Sequence, residues 1–362
     1  MGNIDTPNLL THKPIFGLDV GHGSLKVMQV EKAPEQGESS TAARIIGYGV
    51  AEFDAAALNN GVIVKPEVIA EALFKLFNSQ LIGSISTRRV AIAIPTYRSF
   101  SRSMQLPKLS ARELNDAVRL EAEQYIPMPL DSLYLDYERT RAGKDADDLL
   151  AIAVPKSIVD SYLVLARMSG LDVMLVETTM AAASRLFAHY KYSDITSVII
   201  DFGSLSADIS VFNKSMLVTG TVQAGGLVFT NNIKDGLGVT LAEAGIIKTR
   251  YGLGVSKKQK EIAAALDPTL KQLTKEIRRM IRYHEEHYGT EKPIEQVIML
   301  GGGANMPGLS EYLTNVLRLP VRVHDPWQYM DFTGLQAPNR ADKLMYATVA
   351  GLSLVNPREI FA

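Results

Sequence analysis

One short pattern occurs twice in this sequence of 362 residues. In GLDVGHGSLKVMQV, which begins at Gly17, an apolar run ends at Asp19, a turn with two glycines follows, and a second apolar run begins at Leu25. SVIIDFGSLSADISVF, which begins at Ser197, has the same form, with Asp201 near the end of its first run. Apolar runs on either side of a short polar turn predict a β-hairpin. The repetition indicates an internally duplicated α/β architecture.

Each hairpin has a chemical and a purely structural interpretation. Backbone N–H groups beside a glycine can hold phosphate oxygens, because no Cβ atom blocks their approach. Asp19 and Asp201 can each hold a hydrated Mg²⁺ ion, and Lys26 adds a positive charge for phosphate. Aspartate and glycine are also common turn residues, so either hairpin alone is more simply explained as a turn. Two such hairpins that face each other would grip a triphosphate.

A third turn favours the chemical interpretation. The sequence LGGGAN follows the apolar run VIML and precedes a helical segment that begins near Leu309. Consecutive glycines at a strand-to-helix turn let the backbone lie against a ligand, near the positive end of the helix dipole. Three turns of this kind, each after a buried strand, together indicate a nucleotide-binding protein.

Composition narrows the class of protein. A hydrophobic fraction of 46% with 21% charged residues is typical of a globular protein, and 362 residues favour two lobes. The formal net charge of −1 gives no basic surface for nucleic acid, and the lack of cysteine excludes disulfides and thiolate metal sites. The N-terminal MGNIDTPNLLTHKP lacks the apolar core of a signal peptide, and no apolar run is long enough to span a bilayer. We therefore expect a cytoplasmic protein that meets a membrane only through a partner.

The order of the three turns resembles the superfamily of actin, Hsp70 and the sugar kinases. In that superfamily the first two turns are phosphate loops and the third lies against adenosine. VETTMAAASRL, from Val176, and YATVAGLSL, from Tyr346, stand where the two helices between the lobes would fall. The resemblance implies an α/β, actin-like (ribonuclease H-like) two-lobed duplicated fold with ATP and Mg²⁺ as cofactors.

A more specific resemblance lies within the chain. EAEQYIPMPLDSLYLDY, from Glu121, is similar to the inserted subdomain of the PilM family of type IV pilus assembly proteins, which the cell-division protein FtsA shares. It implies a cytoplasmic component of the pilus machine, which serves twitching motility. The implied partners are the cytoplasmic N-terminal tail of a PilN-like inner-membrane protein, other pilus components, and further copies in a ring. The tail would bind between the first lobe and the insertion, linking nucleotide state to assembly and holding the protein at the inner membrane.

The resemblance also divides the chain into four parts. Residues 1–98, 171–194 and 340–362 form the first-lobe core, and residues 99–170 form the inserted FtsA/PilM-type subdomain. Residues 195–226 and 293–339 form the second-lobe core, and residues 227–292 form its outer subdomain.

The same resemblance assigns roles to residues of the cleft. Asp19 and Asp201 would organise the metal through water, and Glu177 is the candidate that positions the attacking water. The residues expected to hold the phosphates and the nucleoside are Gly21, Gly23, Ser24, Lys26, Gly203, Ser204, Gly226, Lys248, Gly301, Gly302, Gly303 and Asn305.

Two positions depart from the superfamily pattern. Glu177 is not followed by the usual proline, and Gly245 stands three residues before Lys248, where relatives have a glutamate; Glu243 is displaced by two positions. Both departures favour ATP binding over rapid hydrolysis, so a scaffold that only retains nucleotide stays an alternative to an ATPase.

Two other functions stay open. An FtsA-like division protein would carry a membrane-binding helix, where this sequence ends at LVNPREIFA. A sugar kinase would need a catalytic aspartate and sugar-binding groups, which the sequence does not identify.

Overall fold

A computed structural model describes residues 13–32, 43–189, 193–289, 293–328, 330–339 and 342–360. Most of the N-terminal stretch examined for a signal peptide, residues 1–12, lies outside this part of the chain. The strands are β1 Phe16–Val20, β2 Ser24–Lys32, β3 Ala43–Glu52, β4 Leu58–Asn59, β5 Val62–Ile63, β6 Ile82–Gly83, β7 Arg89–Ile94, β8 Phe100–Pro107, β9 Leu133–Ala142, β10 Ala146–Pro155, β11 Asp172–Thr178, β12 Ser197–Phe202, β13 Ala207–Asn213, β14 Ser215–Val222, β15 Gln296–Leu300, β16 Val321–Val323 and β17 Met330–Asp331. The helices are α1 Pro66–Lys75, α2 Ala111–Tyr125, α3 Lys156–Met168, α4 Thr179–Ala188, α5 Gly226–Leu237, α6 Leu241–Arg250, α7 Gln259–Tyr288, α8 Leu309–Leu317, α9 Ala347–Ser353 and α10 Pro357–Ile360.

Two large sheets repeat one strand arrangement. The first has the order β11-β7-β1-β2-β3-β17, and the second has the order β16-β15-β12-β13-β14. In the first sheet β1, β2 and β3 are antiparallel neighbours, whereas β1, β7 and β11 are parallel. In the second sheet β12, β13 and β14 are antiparallel, whereas β12, β15 and β16 are parallel. Five strands thus correspond one to one, which confirms the predicted duplication.

Helices α4 and α9 lie between the two sheets. The core around them takes Met28 from the first sheet, Phe187 from α4 and Ile298 from the second sheet. A Cβ atom placed on Gly351 of α9 would lie 1.8 Å from the carbonyl oxygen of Ala182 in α4. The helices therefore cross with their backbones in contact, as the small residues of both segments predict.

The inserted subdomain is a three-stranded sheet, in the order β8-β10-β9, covered by α2. The sequence predicts a capping box at Ser110, with Glu113 three residues later, and the structure confirms it: Ser110 Oγ accepts from the Glu113 N–H, and the Glu113 carboxylate accepts from the Ser110 N–H. Leu114 and Val118 of α2 pack on Leu149 of β10. A second cluster, with Ala122 of α2 and Leu133 of β9, extends this core.

Two helical segments differ from the sequence prediction. The sequence predicts helical segments between residues 231 and 287 that are broken by glycine and proline; this is wrong at Pro268, because α7 continues through it. Buried Leu266 and Leu270 hold both sides of the proline in the second-lobe core, which offsets the lost backbone hydrogen bond. The sequence predicts a last helix from Asp342 to Leu354, whereas the structure has a 3₁₀ turn, Lys343–Tyr346, before α9. The four-part division of the chain stays a prediction.

Candidate functional site

Both hairpin turns open into one cavity of about 1500 Å³. Ordinary ligand pockets have volumes of about 300–1000 Å³, so this cavity is larger than a single bound nucleotide requires. Residues predicted for the site line it from both lobes. They are Asp19, Gly21, Ser24, Lys26, Asp201, Gly203, Ser204, Gly226, Lys248, Gly301, Gly302, Gly303 and Asn305.

The two turns close in the same way. The Gly21 N–H donates to the Ser24 carbonyl at 2.9 Å, and the Gly203 N–H donates to the Ser206 carbonyl at 2.9 Å. Each turn follows a strand that is buried along its whole length, so the chain reverses at the end of a core strand. Backbone geometry therefore repeats the pattern found in the sequence.

The charges of the two hairpins differ at one paired position. In the first hairpin Asp19 lies opposite Lys26, and the Lys26 Nζ atom is 3.2 Å from Asp19 Oδ2. In the second hairpin Asp201 lies opposite Asp208, so a carboxylate stands where the first hairpin has an ammonium. All four side chains are buried. The floor of the cavity thus contains three carboxyl groups and one amine.

Burial and like charge change the acidity of the second hairpin. Burial, together with the charges of Asp208 and Asp19, raises the pKa of Asp201 to about 7. Burial also raises the pKa of Asp208 to about 6, against hydrogen bonds from the hydroxyls of Thr221, Ser206 and Thr179. A cation placed among these groups would favour their ionised forms.

The donor set fits magnesium. Within the residues that the structure describes, no three His, Cys, Asp or Glu side chains converge as a ready metal cage. Magnesium usually takes only one or two carboxylates and completes its shell with water and substrate phosphates. Asp19 and Asp201, at the ends of facing core strands, supply that number of oxygen ligands.

The glycine-rich third turn packs directly behind the second hairpin. Gly301 has a positive φ of 78°, and a Cβ atom there would lie 2.4 Å from Asp201 Oδ1. Glycine is therefore required, both for the backbone conformation and for the approach of the Asp201 side chain.

Lys248 lines the cavity beside Gly226, whose N–H donates to the Gly203 carbonyl of the second hairpin turn at 2.9 Å. Its Nζ atom donates to the Gly226 carbonyl at 2.7 Å, and burial lowers its pKa. Glu243 stands two positions from the place where relatives have the acidic partner of this lysine. In the structure Glu243 instead forms a capping box with Thr240 at the start of α6. Lys248 thus reaches the cavity without that glutamate.

Two predicted site residues do not line the cavity. The Gly23 carbonyl accepts a hydrogen bond from the Phe53 N–H at 3.1 Å. Glu177 accepts from both terminal nitrogens of Arg185, at 2.5 and 2.6 Å, and Arg185 also donates to the Gly351 carbonyl. The geometry gives Glu177 a structural partner, and its predicted role at the attacking water stays a prediction.

Several residues of the cavity were not assigned by the sequence. The second hairpin sequence contains Asp208, but its place beside Asp201 in the cavity follows only from the strand register, which pairs the two residues. Thr179 begins α4, and Tyr97 and Arg98 follow β7; all three line the cavity. β7 lies parallel to β1, and the carboxyl ends of parallel strands commonly bear ligands, which is the signal that could have identified Tyr97 and Arg98.

Comparison with known proteins identifies the family. The family described as "Type IV pilus assembly protein PilM" matches residues 17–356 of this chain. The chain belongs to the PilM family. It is therefore a type IV pilus assembly protein, as the sequence predicted.

Solved structures confirm the fold. The structure of a "PilM-PilN type IV pilus biogenesis complex" matches with a TM-score of 0.78 and 22% identity, over 94% of this chain and 98% of that chain. MreB 5 of Spiroplasma citri bound to AMPPNP matches with a TM-score of 0.52 and 12% identity, over 94% and 95% of the two chains. At these identities the likeness concerns the fold, which is the expected actin-like fold.

A curated relative lies in the same superfamily. The cell division protein FtsA of Enterococcus faecalis is 21% identical in an alignment 358 positions long, which covers 86% of this chain and 78% of FtsA. Among the described residues, no helix has the length and apolar character needed to cross a membrane.

Proposed function

We propose that this PilM family member binds ATP with Mg²⁺ between its lobes and binds the cytoplasmic tail of a PilN-like inner-membrane protein. The observation that carries the nucleotide part is the pair of identically closed glycine turns that open into one cavity. MreB 5, which shares the fold, was solved with an ATP analogue bound.

The residues of the cavity suit the parts of the nucleotide. The turns at Gly21–Ser24 and at residues 203–206 present backbone N–H groups to phosphate oxygens, and Lys26 supplies a positive charge. Bound Mg²⁺ would neutralise negative charge between the phosphates and the two strand-end carboxylates, Asp19 and Asp201. Lys248 and Gly301 would border the nucleoside.

Calorimetry with Mg-ATP tests this assignment. Asp19→Ala removes one metal-facing carboxylate and the partner of Lys26, so we expect ATP affinity to fall by at least about tenfold. Asp131→Ala is the matched control, because the Asp131 side chain is fully exposed and distant from the cavity lining. Equal affinities for the Asp19→Ala chain and the parent would show that the site is wrong.

The groove between the first lobe and the insertion suits an extended tail. β9 is an edge strand of the inserted sheet, and β11 is an edge strand of the first large sheet. Glu177 of β11 and Arg185 of α4 both influence the pKa of Glu138 in β9, so this part of β9 lies near the β11 edge. An extended peptide can add to such an edge through main-chain hydrogen bonds.

A groove variant tests the partner. Glu138→Arg places a second guanidinium beside Arg185, and we expect the affinity for a PilN-like tail peptide to fall by about tenfold or more. Glu311→Arg, at an exposed position of α8, is the control for a charge reversal elsewhere. Unchanged peptide binding by the Glu138→Arg chain would place the tail on another surface.

Turnover is a separate measurement. We expect slow release of phosphate from ATP, because Glu177 is held by Arg185. Phosphate release measured with and without the tail peptide distinguishes an ATPase from a scaffold that retains nucleotide.

A further inference from the structure

The inserted subdomain touches the second lobe mainly where β8 meets β14, and β14 also reaches β10 and β9 of the inserted sheet. β8 is an outer strand of the inserted sheet, and β14 is an outer strand of the second large sheet. Both strands lie wholly within the described residues, and no backbone ladder joins them. Side chains make the contact instead: the hydroxyls of Ser101 and Thr219 are hydrogen-bonded, and Ser103 donates to the Leu217 carbonyl. We call Ser101, Ser103, Leu217 and Thr219 the hydroxyl seam.

The two contacts of the hydroxyl seam run in opposite directions along β8 and β14, but the two strands share no backbone hydrogen bonds. Ser101 meets Thr219, and two residues further along β8 Ser103 meets Leu217, two residues earlier in β14. A backbone ladder would fix the two edges in one register. Hydroxyl contacts can exchange for water at small cost, so these edges can separate or slide while each sheet stays intact.

A small cavity lies along the seam. Its volume is about 240 Å³, and hydroxyl-bearing side chains dominate its lining. They are Thr96, Tyr97, Ser99, Ser101, Tyr125, Thr219 and Thr221. Polar, incompletely packed interfaces between parts of one chain are those at which relative motion is expected.

Hydrogen bonds connect the seam to the floor of the nucleotide cavity. Thr221, two residues beyond Thr219 in β14, donates to Asp208 Oδ1 at 2.7 Å. Thr179 of the first lobe also donates to Asp208, and its Oγ1 atom lies 2.9 Å from Thr96 Oγ1. Thr96 begins the turn that leads into β8. A network of hydroxyls around one carboxylate thus joins both lobes to the start of the insertion.

We propose that the hydroxyl seam is a sliding contact that transmits closure of the nucleotide cleft to the inserted subdomain. The proposal rests on the ATP binding proposed above. The cavity exceeds the volume of one nucleotide, so a ligand held by both hairpins draws the lobes together. Rotation of the second lobe about the crossing of α4 and α9 carries β14 past β8. The insertion, which forms one wall of the proposed tail groove, then changes position with nucleotide state.

A disulfide across the seam tests this directly, and the cysteine-free chain offers no competing thiol. The double variant Ser101→Cys with Thr219→Cys should cross-link in the ligand-free chain, because the two side chains touch. With the seam locked, we expect Mg-ATP to bind at least about fivefold more weakly than after reduction, the lower bound of typical coupling between sites. Each single-cysteine variant should bind ATP equally under both conditions.

Three results would overturn the proposal. The first is that the two cysteines do not cross-link. The second is that the oxidised and reduced double variants bind ATP equally, and the third is that the parent chain binds no ATP. The last result would also remove the proposed function, whereas the second would remove only the role of the seam.

Hydrogen exchange of the parent chain gives a test that needs no variant. Mg-ATP should change amide exchange in Phe100–Pro107 of β8, outside the lining of the nucleotide cavity. Exchange in β8 that is identical with and without ATP, while exchange at the hairpin turns changes, would contradict the proposal.

Discussion

Replacing Gly351 with alanine perturbs the point where the two inter-lobe helices cross. The added Cβ atom would lie 1.8 Å from the Ala182 carbonyl oxygen, whereas a close carbon–oxygen contact needs about 3.3 Å. The helices must therefore separate by about 1.5 Å, or their backbones must distort. Both helices are buried in one core, with Ala182 and Gly351 fully covered, so no flexible side chain can absorb the shift.

We expect this change to destabilise the protein by about 3 kcal/mol or more, the upper part of the range for overpacked cores. With an unfolding entropy of about 2.1 cal/mol/K per residue, for a chain of 362 residues this corresponds to a melting temperature lower by about 4 °C. Gly245→Ala is the matched control, because it is also a helical glycine but its added Cβ atom would meet no atom within 4 Å. That variant should gain about 0.5–1 kcal/mol from the helix preference of alanine. Calorimetric melting of both variants gives the comparison, and a Gly351→Ala chain that melts with the parent would refute the close crossing.

Three further changes have expected outcomes. Burial lowers the pKa of His324 to about 4 from an unfolded value of about 6.5, so the unfolded chain binds the proton first and stability falls as the pH drops between these values. His324→Gln should remove that part of the fall in denaturant titrations at several pH values; curves parallel to those of the parent would contradict it. Glu177→Gln leaves Arg185 without its carboxylate and should lower stability by about 1–3 kcal/mol while phosphate release from ATP stays within about twofold; a large loss of phosphate release at unchanged stability would restore Glu177 to the site. Lys248→Met should weaken ATP and ADP by a similar factor, about tenfold, because its proposed place is at the nucleoside, which both nucleotides share; a loss confined to ATP would place it at the terminal phosphate instead.

Local sequence patterns were sufficient for the hairpins. Each turn is closed by a hydrogen bond between residues within four positions of one another, so a short stretch of sequence is enough to predict it. The capping box at Ser110 was predictable for the same reason. The duplicated sheets followed from recognising that Asp19 and Asp201 belong to one repeated pattern.

The remaining features depend on contacts between distant segments. Ser101 and Thr219 are adjacent only because two separately folded sheets bring their edges together. Pro268 does not end α7 because side chains elsewhere in the second-lobe core hold the helix on both sides. The pairing of Glu177 with Arg185 requires β11 to enter α4 directly, which the sequence located only approximately. In each case tertiary packing decides what a local pattern leaves open.

The most direct measurement is a crystal structure with Mg²⁺ and a non-hydrolysable ATP analogue. We expect the polyphosphate to lie between the turn at Gly21–Ser24 and the turn at residues 203–206, with the metal beside Asp19 and Asp201. An analogue bound away from these turns, or a cleft that stays empty at saturating analogue, would contradict the account.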